Sequence, residues 1–192
     1  MRITRLYPRR YFWYKFVNSL FTGLSIGSIF TIYAPLKPSI FSVGGVLLAI
    51  GMLIVAKFYE KLMTLRIFFF IALFVELVIL ILVSYFLIKP YTYSTALFVY
   101  AGYQLTFVFG SYLVRSETLF LRKKRLLSLV DIYRQAGYLL GLVVSFLFYK
   151  SLDIFFMVKA NQEKVYDIHF VLLGVEVLII VLLIRSFRIR ID

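Results

Sequence analysis

Six runs of apolar residues, each close to the length of a bilayer-crossing helix, occupy nearly the whole chain. They lie at about 15–34, 39–57, 67–88, 93–115, 126–150 and 167–187. A hydrocarbon core of about 30 Å takes roughly twenty helical residues to cross, and a backbone facing lipid must satisfy its own hydrogen bonds. The runs therefore predict an all-α integral membrane protein, a bundle of six transmembrane helices forming a single domain over residues 1–192. Pro35 and Pro38 part the first two runs and Pro90 the third from the fourth, since proline cannot continue a helix interior. The gaps are too short for a soluble domain. Composition agrees, at 62% hydrophobic residues, 19% aromatic residues and a mean hydropathy of +0.94. A water-soluble chain of this size leaves much of its surface in water and could not hide so much apolar area.

The basic start followed by an apolar stretch also has the form of a cleaved signal peptide. The stretch runs for about twenty residues and ends Ile32-Tyr33-Ala34-Pro35, which suits a full span, so it reads as helix 1. The net charge of +13 would suit nucleic acid, yet the basic residues sit between apolar runs, where positive charge sets membrane orientation. No soluble basic face remains to hold a phosphate backbone, and no nucleic-acid partner is expected. Sixteen Lys and Arg fall on the side of the N-terminus, the 2–3 and 4–5 loops and the C-terminus, against five on the other, with Arg134 inside segment 5. That asymmetry places both termini in the cytoplasm, and the location expected is a bacterial inner (cytoplasmic) membrane.

The six segments differ in character. Segment 1 carries Asn18, Thr22 and Ser25 on one helical face, and segment 4 carries Tyr100, Tyr103 and Gln104 likewise. Segments 2 and 5 carry small residues four apart, Gly45 and Ala49, then Gly137, Gly141 and Ser145, which let helix backbones approach closely. Segments 3 and 6 are almost unbroken Leu, Ile, Val and Phe, as expected of helices facing lipid. Polar, small, apolar repeats with a period of three helices.

That order resembles one six-helix half of the major facilitator superfamily, in which each half is a pair of inverted three-helix repeats. The 2–3 loop, Ala56-Lys57-Phe58-Tyr59-Glu60-Lys61-Leu62-Met63-Thr64-Leu65-Arg66, is similar to that family's signature loop in the acid, base and trailing base at Glu60, Lys61 and Arg66. Ala56 and Met63 stand where the family has glycines. After segment 4, Arg115, Glu117, the basic run Arg122 to Arg125, then Asp131, Arg134 and Gly137-Tyr138-Leu139-Leu140-Gly141 resemble the family's route into its fifth helix.

The resemblance implies roles. The first helix of each triplet would line a substrate cavity, which makes Asn18, Thr22, Ser25, Tyr100, Tyr103 and Gln104 the cavity candidates. The second would pack against the other half and the third would face lipid. Glu60, Lys61, Arg66, Arg115, Glu117, Asp131 and Arg134 would form a cytoplasmic charge network that latches one conformation. Members of that family bind their solute between two halves. This chain would therefore act as a homodimer or with a separately encoded second half, with the small-residue faces of segments 2 and 5 as the seam.

Glu76 and Glu176 fall near the middle of segments 3 and 6, in the alike settings Val75-Glu76-Leu77-Val78-Ile79 and Val175-Glu176-Val177-Leu178-Ile179. An acidic residue at a helix centre costs about 2.5–3.5 kcal/mol to insert. Two explanations are open: a protonatable pair coupled to transport, or neutral carboxyls hydrogen-bonded to a neighbouring helix or at a subunit contact. Trp13, Tyr11, Tyr14 and Phe12 read as an interfacial aromatic belt, and His169 as an interfacial residue. One histidine and no cysteine make no transition-metal site, so no metal and no cofactor are expected. No catalytic constellation stands on the polar helices, and no enzyme is expected. The function expected is alternating-access transport of a small solute. The alternative is a non-transporting subunit or assembly factor of a larger membrane complex.

Overall fold

A computed structural model describes residues 2–190. The chain runs β1 (Arg2–Leu6), α1 (Pro8–Tyr33), α2 (Pro38–Lys57), α3 (Tyr59–Leu62), α4 (Leu65–Ile88), α5 (Tyr93–Val108), α6 (Gly110–Leu121), α7 (Lys124–Ile154), α8 (Asn161–Arg185) and β2 (Phe187–Arg190). Six helices are long and apolar enough to cross a membrane, with α5 and α6 counted as one span, Tyr93–Leu121, interrupted at Phe109. The protein is an all-α integral membrane bundle.

Local chemistry sets the helix ends. Pro8 and Pro38 open α1 and α2 at positions where a missing N–H costs nothing. The hydroxyls of Thr64 and Thr92 accept from the Ile67 and Thr95 amides and cap α4 and α5. The spans outrun the apolar runs: the first starts at Pro8, the fourth ends at Leu121, the fifth at Ile154, and the sixth starts at Asn161. Hydropathy marks only the hydrocarbon portion, whereas backbone hydrogen bonding carries a helix on through its polar end turns.

Packing centres on α1, which lies against α7 and α8; α4 lies against α8 and α5, and α2 against α5. α1 buries the largest share of itself and α2 the smallest, with only Gly44 and Val55 buried. The apolar helices of segments 3 and 6 do not simply face lipid. α4 turns Phe68, Phe69, Ala72, Glu76, Leu82, Val83 and Phe86 inward, and α8 turns Ile168, Leu172, Glu176, Ile179 and Leu183 inward. Leucine is as content against lipid as against protein, so an all-apolar sequence leaves the inward face unmarked.

The small-residue face of segment 5 is likewise spent inside the chain. A Cβ on Gly137 would overlap the Phe16 carbonyl, one on Gly141 the Leu20 carbonyl, and one on Gly23 the Tyr138 carbonyl. Ser145 Oγ donates to the Leu24 carbonyl at 3.3 Å. α1 and α7 therefore touch backbone to backbone, and this face is closed to a second subunit. Gly45 and Ala49 on α2 stay exposed.

The two chain ends pair as an antiparallel ladder, Arg2 opposite Arg190, Ile3 opposite Ile189, Arg5 opposite Arg188 and Leu6 opposite Phe187. The Tyr7 amide donates to the Ser186 carbonyl at 2.9 Å, and Phe187 is buried among Tyr11, Phe68 and Phe69. Both ends of the bundle's chain thus lie on one face of it. Of the basic residues counted for orientation, the side chains of Arg2 and Arg190 lie outside the described ones. The clasp was not foreseen, although Ile3 and Leu6, then Phe187 and Ile189, are apolar residues set between arginines and other polar groups.

Candidate functional site

The first turns of α1 carry polar tips at helical spacing, Tyr11, Tyr14, Lys15 and Asn18, and all four reach into the bundle. The Tyr14 hydroxyl donates to Glu76 Oε1 at 2.6 Å, and Asn18 Nδ2 donates to the same oxygen at 3.0 Å. The Tyr11 hydroxyl donates to Glu117 Oε2 at 2.6 Å, and Lys15 Nζ lies 2.9 Å from that oxygen. Charge-assisted bonds of this kind are shorter and stronger than neutral ones.

Glu176 comes from α8 to meet Glu76 carboxyl to carboxyl. Glu76 is 1% exposed and Glu176 0%, and Glu76 Oε2 and both Glu176 oxygens meet no donor from any other residue among those described. Two carboxyl oxygens close on one another only with a hydrogen between them, because an ionised carboxylate only accepts. Glu76 is eleven residues into α4 and Glu176 nine from the end of α8, so both lie about 14–17 Å from the clasped face. Tyr103, from α5, lies close to Glu176.

Beyond the pair, Ser25, Ser28, Tyr103 and His169 line a space of about 10 Å³, roughly the room of one water molecule. His169 is buried there, its Nδ1 2.5 Å from the Val165 carbonyl and its ring 4.1 Å from that of Phe86. Its side chain turns into the bundle rather than outward. A separate groove of about 510 Å³ lies between α2 and α5, lined by Val43, Gly44, Leu47, Leu97, Tyr100 and Gln104 among others. The Tyr100 hydroxyl donates to the Phe41 carbonyl at 3.2 Å, and Gln104 Oε1 is buried without a partner among the described residues.

The six cavity candidates thus occupy different places. Asn18 belongs to the carboxyl pair, Ser25 and Tyr103 to the small space beyond it, and Tyr100 and Gln104 to the groove. Thr22 is exposed and donates back to the Asn18 carbonyl of its own helix at 3.2 Å. Side chains follow the helix faces, and each polar helix divides its polar residues between two neighbours.

The charge network takes another form than expected. Arg134 and Asp131 pair at 2.8 Å along α7. Glu60, Lys61, Arg66 and Arg115 are exposed and in no ion pair among the described residues. Glu117 is buried and joined to α1, because α6 continues past 115 and a two-residue step turns a helix by about 200°, putting Arg115 on the opposite face.

Tyr11, Tyr14 and Lys15 were missed as site residues. Tyr11 and Tyr14 are buried, as is Phe12, whereas Trp13 alone keeps an exposed position of the belt type. The signal was present: 11, 14/15, 18 and 25 extend the polar stripe of segment 1 towards the N-terminus. Compared with known protein families, curated proteins and solved structures, the chain matches none.

Proposed function

We propose that this chain is a six-helix transporter unit, moving a small solute by alternating access together with a second copy of itself or a separately encoded second half. The observation that carries the reading is a regularity in the packing. Exchanging spans 1, 2, 3 with spans 4, 5, 6 turns the contact of α1 with α7 into that of α5 with α2. It likewise turns α1 with α8 into α5 with α4, and returns α4 with α8 to itself. These five, the most extensive contacts between spans, obey the exchange as expected of an inverted three-helix repeat, whereas the slighter contacts of α7 with α8 and with α6 have no comparable counterpart. Glu76 and Glu176 meet on the self-exchanging contact, where equivalent residues of a two-fold arrangement face each other. Buried ionisable groups in a membrane bundle mark ion or substrate pathways. The orientation that accompanies this reading has the clasped face in the cytoplasm, on the sixteen-to-five asymmetry of Lys and Arg.

One observation favours the second reading, a non-transporting membrane subunit: the cavity candidates do not converge on one chamber within a single chain. The test is uptake of a panel of small solutes by liposomes holding the purified protein, with its mass in native detergent micelles. Saturable uptake that Gln104→Ala abolishes while folding and oligomer mass hold is the expected result. Co-purification with a larger complex and no uptake of any solute would sink the transporter reading.

A further inference from the structure

We propose that Glu76 and Glu176 together bind one exchangeable proton, and that this proton is the ion coupled to the transporter reading above, on which the coupling rests. Among the described residues, three carboxyl oxygens of the pair meet no donor of another residue, although both side chains are fully enclosed. The fourth, Glu76 Oε1, is saturated by Tyr14 and Asn18. The arrangement is therefore lopsided. One carboxyl is built to be held as an acceptor, and the other has nothing to bond except the first. A structural pair of neutral carboxyls would satisfy both members, since every buried donor and acceptor left bare costs about 1–3 kcal/mol.

The surroundings give the proton routes. On the side of the clasped face, α1 presents Tyr11, Tyr14 and Lys15, and α6 presents Glu117. On the far side, α5 presents Tyr103 and α8 presents His169, next to the small space lined by Ser25 and Ser28. The pair thus stands midway along a thread of polar groups through an otherwise aliphatic and aromatic interior. Lys15 is the one cation among these groups, and it is taken by Glu117, leaving the pair without a counter-ion in contact among the described residues. A metal cation seated between the carboxyls would hold their oxygens apart, whereas here they meet one another, and a single hydrogen fits between them. Binding makes one O–H bond, breaks none within the protein and moves one positive charge from the aqueous side to the pair.

The test uses the full chain in lipid nanodiscs. The infrared carbonyl band of protonated carboxyls is followed as pH is stepped, alongside protons bound per chain by an indicator dye. A titrating band from a dry carboxyl is expected in the natural protein, lost in Glu76→Gln and in Glu176→Gln, with about one bound proton fewer in each. Tyr14→Phe leaves the fold intact and moves the midpoint of that titration. A band that never titrates in the natural protein overturns the proposal even if a glutamine variant fails to fold, and so does a proton count unchanged in folded variants. Liposome uptake separates the two ideas. Uptake indifferent to an imposed pH gradient defeats proton coupling and leaves the carrier standing. A titrating pair without any solute uptake keeps the proton site and defeats its assignment to transport.

Discussion

The seam between α1 and α7 and the seam between α5 and α2 join parallel helices in the same relation, yet they are packed in opposite ways. At the first, Gly23, Gly137 and Gly141 clear the middle of the contact, and there carbonyls of one helix meet the other helix directly. At the second, glycines serve as notches for side chains: Gly44 receives the ring of Tyr100 and Gly51 receives Val108. The rings and branches hold α2 off, and the groove of about 510 Å³ opens beside them. Small residues in a membrane helix thus do two jobs, and only the partner's side chains decide which. In lipid there is no hydrophobic drive to close a seam, so close packing and hydrogen bonds must do it.

The comparison can be broken at several points, and the strongest is the closed seam. Gly141→Leu would force α1 and α7 apart, and a loss of about 3 kcal/mol or more is expected from thermal unfolding in mixed micelles. An unchanged unfolding midpoint would mean that the backbones do not touch. Gly44→Ala is expected to cost only about 1 kcal/mol, because the Tyr100 ring can swing into the groove beside it. A loss as large as that of Gly141→Leu would show that the second seam is as rigid as the first. Tyr100→Phe removes one hydrogen bond to the Phe41 carbonyl, and about 0.6 kcal/mol is expected on the same assay. Gly45→Leu lies in open space and should change monomer stability by less than about 0.5 kcal/mol. Its useful readout is oligomer mass: a shift there would make the outer face of α2 the subunit seam, and no shift would remove it. Because the chain has no cysteine, single engineered cysteines at these positions can report accessibility without a background.

Much of the bundle was legible before any coordinates. Run length and hydropathy gave six spans, prolines marked their gaps, and the arginine-rich ends fitted an even number of crossings. The site was legible in fragments. Glu76 and Glu176 were singled out because charge inside hydrocarbon demands a reason, and Asn18 because it shares a polar helix face with Thr22 and Ser25. Their partners were not. Tyr11 and Tyr14 look like belt aromatics by composition, since an amphipathic ring serves equally at an interface and inside. Glu117 looked like a loop residue because hydropathy faded six residues before its helix ended.

Sequence alone determined the class of molecule, since twenty-residue apolar runs leave the backbone no alternative to helices in lipid. It also determined that two carboxyls would sit at similar depth, because depth along a helix is simply residue count times rise. Tertiary structure decided everything that depends on rotation about a helix axis. It chose which stripe of α4 and α8 turned inward, spent the small face of α7 on α1, and brought Glu176 against Glu76. An apolar helix in an apolar solvent carries little in its own sequence to fix that rotation, so the neighbours fix it.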